Sequence, residues 1–199
     1  MIRLAVVLLW LFPAALWAEI FPALHDVTRV ASDDVLNIRE QPSADARVIG
    51  TLAPDATGVE VVAVQDGWAV VNTAEGAGFA SMQFLKRADD LDWSLLKSPL
   101  VCQGTEPFWS LQIDPANWAA RFRAPDDPTA RALPVTTTWP ALTASGAAAV
   151  ELPEGVLVLT PAECSDGMSD RRFGIATDLF LTVSGRGGRL SGCCRLGLP

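Results

Sequence analysis

The chain has 199 residues, half of them apolar, with 15 basic against 23 acidic side chains and a formal net charge of −8. That is room for one large domain or two small ones around a buried core, and it excludes a chain too polar to fold. An acidic chain without a basic stripe lacks the electrostatic footprint of a nucleic-acid binder and is repelled by anionic lipid surfaces, so neither is expected as a partner.

Residues 1–18, "MIRLAVVLLWLFPAALWA", carry one positive charge at Arg3, an apolar run from Leu4 to Leu16, and Ala18 just before Glu19. This is the three-part layout of a secretory signal, with cleavage expected after Ala18. The run is interrupted by Pro13 and is shorter than the roughly 20 residues of a membrane span, so no stable span is expected after cleavage. Leu16, three residues before the cut, is larger than a signal peptidase prefers, which leaves an uncleaved anchor as the alternative. No cysteine precedes Cys102, so nothing supports a lipid-modified amino terminus. Without the signal, 14 basic residues face 23 acidic ones, a net charge of −9 with the lone His25 neutral. The expected location is the periplasm or another exported compartment, where an even number of cysteines reads as disulfides.

From Asp26 to Arg87 short apolar or alternating runs are cut by turn signals: "VLNIR", "VIGTL", "GVEVVAV", "GWAVVN" and "GAGFASM" are separated by "EQPSADA", "APDATG", "QDG" and "AEG". Strands of four to seven residues at this spacing predict a small all-β barrel. In "GVEVVAV" Val59, Val61 and Ala63 are expected on the buried face and Glu60, Val62 and Val64 on the other. Trp68, directly after the turn at Gln65-Asp66-Gly67, is expected to close the barrel bottom.

These residues resemble the bacterial SH3-like domain, SH3b. The likeness rests on "LNIR" at Leu36 to Arg39 with Pro42 and Ser43, "VIGTL" at Val48 to Leu52, "DGWAVV" at Asp66 to Val71, and "GFASMQFL" at Gly78 to Leu85. It implies a five- or six-stranded barrel that serves as a binding module, in many relatives for peptidoglycan or its peptides, with Trp68, Phe79 and Phe84 as ligand-binding candidates. Two positions depart from the family pattern: Phe79 stands where a Trp is usual and Phe84 where a Tyr is usual. All three aromatics also have a plain alternative as core.

"KRADDLDWSLLKSPL" is charged from Lys86 to Asp92 and then apolar around Trp93, Leu95 and Leu96, which suits a boundary near residue 90. The expected division is a signal peptide over 1–18, the SH3-like domain over 19–88, a linker over 89–100 and a cysteine-containing β domain over 101–199. In the last of these, "FWSLQI" from Phe108 alternates and "WAARFRA" from Trp118 is its expected hairpin partner across "DPAN". "ARALPVTTTWP", "GVLVLTPAEC" and "DLFLTVSGRGGRLSGCC" add strands, the last expected to turn at Gly185 to Gly188. Helical periodicity is absent. The fold class expected is all-β, a small SH3-like barrel followed by a second, disulfide-braced β-barrel or β-sandwich.

Three signatures of this half, "CQGTEPFWSLQI", "CSDGMSDRRF" and "LSGCC", resemble an uncharacterised family of exported bacterial proteins sharing GxEPFW, CxDGMSDR and a terminal GC. The matching residues are Cys102, Gly104, Glu106, Pro107, Phe108 and Trp109, then Cys164, Asp166 to Arg171, then Gly192 and Cys193. That resemblance implies no activity. A looser fold-level likeness is to the small META β domains.

Four cysteines allow three pairings. A bridge between the neighbours Cys193 and Cys194 falls outside normal disulfide geometry, and the other two pairings join Cys102 and Cys164 to the terminal pair. Strand neighbours point to opposite faces, so Cys193 and Cys194 can reach different partners. The competing reading is thiol redox or soft-metal chemistry at Cys193 and Cys194 beside Arg195. Zinc is poorly served, because the one histidine is remote and the cysteines are scattered. No metal or other cofactor is expected.

In "CSDGMSDRRF" Asp166, Gly167, Ser169 and Asp170 are strong turn chemistry, and an Asp-Arg pair there would hold the loop against a neighbour such as Glu106. The alternative gathers Glu106, Asp166, Asp170 and Arg171, near Trp109, into a polar ligand site at a barrel mouth. Ser-His-Asp and Cys-His hydrolysis lack a base near a nucleophile, since His25 lies in the first domain. A carboxylate pair of Glu106 with Asp166 or Asp170 keeps a small hydrolase as an alternative. The expectation is therefore an exported non-enzymatic envelope protein, with peptidoglycan or an envelope protein as partner.

Overall fold

A computed structural model describes residues 20–89, 92–125, 127, 129–143, 146–183 and 186–197. The expected signal peptide lies outside the described residues. The described chain is all-β, with two 3-10 turns and two antiparallel sheets.

The first sheet has seven strands: β1 (Ala23–Val27), β2 (Leu36–Arg39), β3 (Val48–Leu52), β4 (Val59–Gln65), β5 (Trp68–Asn72), β6 (Ala77–Ser81) and β7 (Leu85–Arg87), in the order β3-β2-β6-β5-β4-β1-β7. Val27, Leu36, Ile38, Val61, Ala69, Val71, Ala80 and Leu85 close on one another as its core. The β4–β5 hairpin places Gln65 opposite Trp68, and its two turn residues have positive φ, 51° at Asp66 and 80° at Gly67. Those dihedrals belong to the turn whose twist matches paired strands, and Asp-Gly is the sequence that adopts it most readily. Ala63 departs from the expected alternation. The pairing slips between Val61 and Ala63, so Val62 is an extra residue, and both Val61 and Val62 are buried while Ala63 is exposed. A bulge of this kind shifts every later side chain to the other face.

The second sheet has nine strands: β8 (Leu100–Thr105), β9 (Phe108–Asp114), β10 (Ala119–Arg123), β11 (Arg131–Pro134), β12 (Thr137–Trp139), β13 (Ala148–Leu152), β14 (Gly155–Cys164), β15 (Phe173–Val183) and β16 (Arg186–Leu196). Their order is β11-β10-β9-β8-β16-β15-β14-β13-β12. The two edge strands are consecutive in the chain. Val135 N donates to Trp118 O at 2.9 Å beside β10, and Thr136 N donates to Glu151 O at 2.9 Å on β13. One stretch of backbone thus reaches both edges, and the sheet curls back toward itself. Inside lie Leu111 and Ile113 of β9, Phe122 of β10, Val150 of β13, Leu157 and Leu159 of β14, Ile175 and Leu179 of β15, and Cys194 and Leu196 of β16. The last hairpin turns earlier than expected. Val183 is opposite Arg186, so Gly187 and Gly188 pair with Thr182 and Leu181 inside β16.

The two sheets interlock. Leu24 of β1 is a member of the second core, Ala88 N donates to Leu24 O at 2.9 Å, and a Cβ on Gly174 would press on Pro22. Trp93, 1% exposed, anchors residues 93–96 in the same core. Burying Leu24 of the first sheet, and Trp93 and Leu96 of the connecting segment, in the second core stabilises a fixed arrangement by about 2 kcal/mol per side chain.

Candidate functional site

The cysteines form two bridges, Cys102–Cys194 and Cys164–Cys193. Cys194 faces the core opposite its strand partner Cys102, and Cys193 faces outward to hold the end of β14. Their loops, with sequence separations of 92 and 29, correspond to about 4 kcal/mol of chain-entropy stabilisation each. Around the bridges the backbones approach so closely that two glycines are required. A Cβ on Gly104 would collide with Trp109 Nε1 and Ser191 O, and one on Gly192 with Gln103 O. Trp109 is 3% exposed and its Nε1 donates to Ser191 O at 3.2 Å, so it is a core side chain with a satisfied polar end. Phe108, one residue earlier, is 63% exposed.

The loop after Cys164 is a turn locked by its own aspartate. Asp166 Oδ1 accepts from Met168 N at 3.0 Å and Ser169 N at 2.9 Å, Oδ2 accepts from Ser169 Oγ at 2.9 Å, and Gly167 has φ 70°. Burial works against ionisation of Asp166, but these hydrogen bonds and the Arg171 charge outweigh it and hold the carboxyl below its usual range. Thr105 Oγ1 donates to Asp166 O at 3.0 Å, which brings the β8–β9 hairpin alongside.

The rest of the loop faces the other domain. Arg171 donates through Nε to Ala74 O at 3.0 Å and also through Nη2 to the same oxygen. Asn72 behaves as a strand partner for Arg172: its Nδ2 donates to Arg172 O at 2.8 Å and its Oδ1 accepts from Arg172 N at 2.9 Å. Asp170 bridges to Gly76 in parallel fashion, and Asp170 N donates to Glu75 O at 3.3 Å. On the far side of the boundary Leu196 N donates to Glu60 Oε1 at 2.8 Å. Burial drives the Glu60 carboxyl up to about 7 against the lowering effects of that hydrogen bond and of Arg195. The expected polar cluster is therefore divided. Glu106 and Asp166 line one groove, whereas Asp170 and Arg171 belong to a clasp between the domains, and Arg171 holds the Ala74 carbonyl rather than Glu106. The clasp was invisible in sequence because its partners lie about 100 residues apart.

A second groove, of about 500 Å³, lies on the first domain. Trp68 and Phe84 are its aromatic part, beside aliphatic residues such as Val30 and Val35, and Asn37, Ser81, Gln83, Asp34, Arg29 and Arg39 its polar part. Trp68 is half-buried and lines this groove, where it opens β5 opposite Ser81 beside the 3-10 turn Met82–Phe84. Arg29, at φ 60°, is anchored by a hydrogen bond from Nη2 to Gln83 O, and Arg39 Nη1 donates to Ala46 O at 2.7 Å. Phe79 is outside the lining, opposite Val70 and Arg39. Sequence reading passed over the two arginines, whose signal was a pair of cations flanking "DDVLNI" in an acidic chain.

Residues 34–86 match the family model of the bacterial SH3 domain. The groove of Trp68 and Phe84 lies largely within that SH3-like domain, with Arg29 just ahead of the matched residues. No curated protein and no solved structure matches the chain. Among the described residues no helix is long and apolar enough to cross a membrane. Disulfides together with a bacterial SH3-like domain are consistent with an exported protein.

Proposed function

We propose that this is an exported, non-catalytic envelope protein whose SH3-like domain binds a peptidoglycan peptide in the groove of Trp68 and Phe84. The observation that carries the reading is the composition of that groove: an indole and a phenyl ring beside Asn37, Ser81, two arginines and one carboxylate, Asp34, which leaves one cation in excess. Aromatic surfaces supply contact area, amide and hydroxyl groups fix a peptide backbone, and guanidinium forks pair with peptide carboxylates. The second domain acts as the rigid partner that holds the SH3-like domain in a set orientation through the clasp. Thiol redox or soft-metal chemistry, the competing reading, requires prior reduction, because Cys193 and Cys194 are each bridged.

Cosedimentation with purified sacculi tests the proposal. The wild-type protein is expected in the pellet, with affinity for sacculi reduced about five- to thirtyfold by Trp68→Leu and by Asn37→Ala, each change removing a groove contact worth on the order of 1–2 kcal/mol. Asn37→Ala guards against a folding defect in the Trp68 variant. Wild-type protein that stays wholly in solution would sink the cell-wall reading and leave a protein partner for the same groove.

A further inference from the structure

The outward face of the second barrel carries a polar groove that neither the clasp nor the SH3-like domain uses. Strand register fixes its floor. Thr105 is opposite Phe108 on the β8–β9 hairpin, Gln103 is opposite Cys193 between β8 and β16, and Ser191 is opposite Asp178 between β16 and β15. Opposed residues of antiparallel strands share a face, as do alternate residues along one strand. Phe108, Thr105, Gln103, Ser191, Arg189 and Asp178 therefore project from one side of the sheet, while Trp109, Leu111, Cys194 and Leu179 fill the other. The loop stapled by Cys164–Cys193 walls one end, and the cavity measures about 410 Å³.

The strong charges on this floor are already matched inside the protein. Asp178 Oδ1 accepts from Arg189 Nε at 2.8 Å and from Ser191 Oγ at 2.7 Å, and the Asp166 carboxylate is committed to its turn. What remains for a ligand is uncharged: the Gln103 amide, the Thr160 hydroxyl, and the acceptor lone pairs of Thr105 Oγ1 and Ser191 Oγ, whose protons are already given to Asp166 O and Asp178 Oδ1, with the outer edge of the Asp178–Arg189 pair. A polyanion has no free cation to meet here, and a polycation finds only Glu106 unengaged among the lining carboxylates. Just outside the groove's lining, Phe108, opposite Thr105, adds an aromatic ring on the same face of the sheet, 63% exposed and open to stacking against the C–H face of a ligand that extends beyond the groove.

We propose that this groove binds a neutral oligosaccharide, with Gln103, Thr105 and the Asp178–Arg189 pair addressing hydroxyl or amide groups and Phe108 stacking on a sugar ring. The site is independent of the SH3-like groove. Calorimetric titration of the intact two-domain protein with a β-1,4-linked N-acetylglucosamine tetramer tests it, with the cationic glucosamine tetramer as counter-probe. The expected result is saturable binding of the neutral tetramer, weakened at least about tenfold by Phe108→Ala and several-fold by Gln103→Ala, with Trp68→Leu leaving it unchanged. Phe108 is exposed and Gln103 half-buried on the outer face of the sheet, and unchanged melting temperatures confirm that both variants fold. No binding of the neutral tetramer, binding that survives both substitutions, loss on Trp68→Leu, or preference for the cationic tetramer would each overturn the assignment.

Discussion

Replacing Glu60 by Gln separates electrostatic from packing contributions at the domain boundary. Glu60 is part-buried between β1 and the end of β16, where its carboxyl accepts the Leu196 N–H and its ordinary value of 4.5 is raised to about 7 by burial. A folded-state value above the unfolded one means that the folded protein binds the proton more tightly. The stabilisation is complete below about pH 4.5 and is lost as pH rises through about 7. The shift of about 2.5 pH units corresponds to at most about 3 kcal/mol at pH 8. Glutamine keeps the acceptor oxygen and removes the titration. The expected outcome is that Glu60→Gln exceeds wild type in stability by up to about 3 kcal/mol at pH 8, on the order of 6–12 °C in melting temperature for a chain of this size, and equals it near pH 4.5. Paired urea unfolding curves from pH 4.5 to 9 provide the difference profile, in which every other titrating group cancels. A difference that does not change with pH, or one that favours wild type at pH 8, would refute the burial argument.

Asn72→Ala removes both hydrogen bonds to the Arg172 backbone and is expected to cost about 1–2 kcal/mol, read by urea unfolding; Arg171→Ala should cost a similar amount, with faster limited proteolysis around residues 165–172. Converting Cys164 and Cys193 together to Ala should destabilise the protein by about 3–4 kcal/mol, and the Cys102 and Cys194 pair by slightly more because its loop is longer, as measured by calorimetry. Gly104→Ala forces Trp109 off its hydrogen bond to Ser191 O and should cost at least about 2 kcal/mol, with a shift in tryptophan emission.

The strands with clear alternation were readable directly, as in "FWSLQI" paired with "WAARFRA". Those that escaped share a physical cause. β1 is only five residues, and His25 and Asp26 hide its apolar pattern even though His25 is buried. β13 is built on "AAVEL", where small alanines satisfy the burial alternation without the β-branched signature. Alternation puts Val62 on the face opposite Val61, yet both are buried, because a bulge is set by pairing with β5 and not by the strand's own residues. The candidate residues divided similarly. Chain-local chemistry such as the Asp166 turn is written in neighbouring residues, while the clasp of Asn72 with Arg172 and the groove of Gln103 with Asp178 exist only once distant strands meet.

The peptide-binding role of the SH3-like groove is tested most directly by recording amide and indole NMR shifts of the intact protein during titration with a soluble muropeptide. The account predicts saturable changes at the Trp68 indole N–H and at Asn37, Ser81 and Phe84, abolished by Asn37→Ala together with Trp68→Leu. Shifts confined to other surfaces, or none at saturating muropeptide, would contradict it.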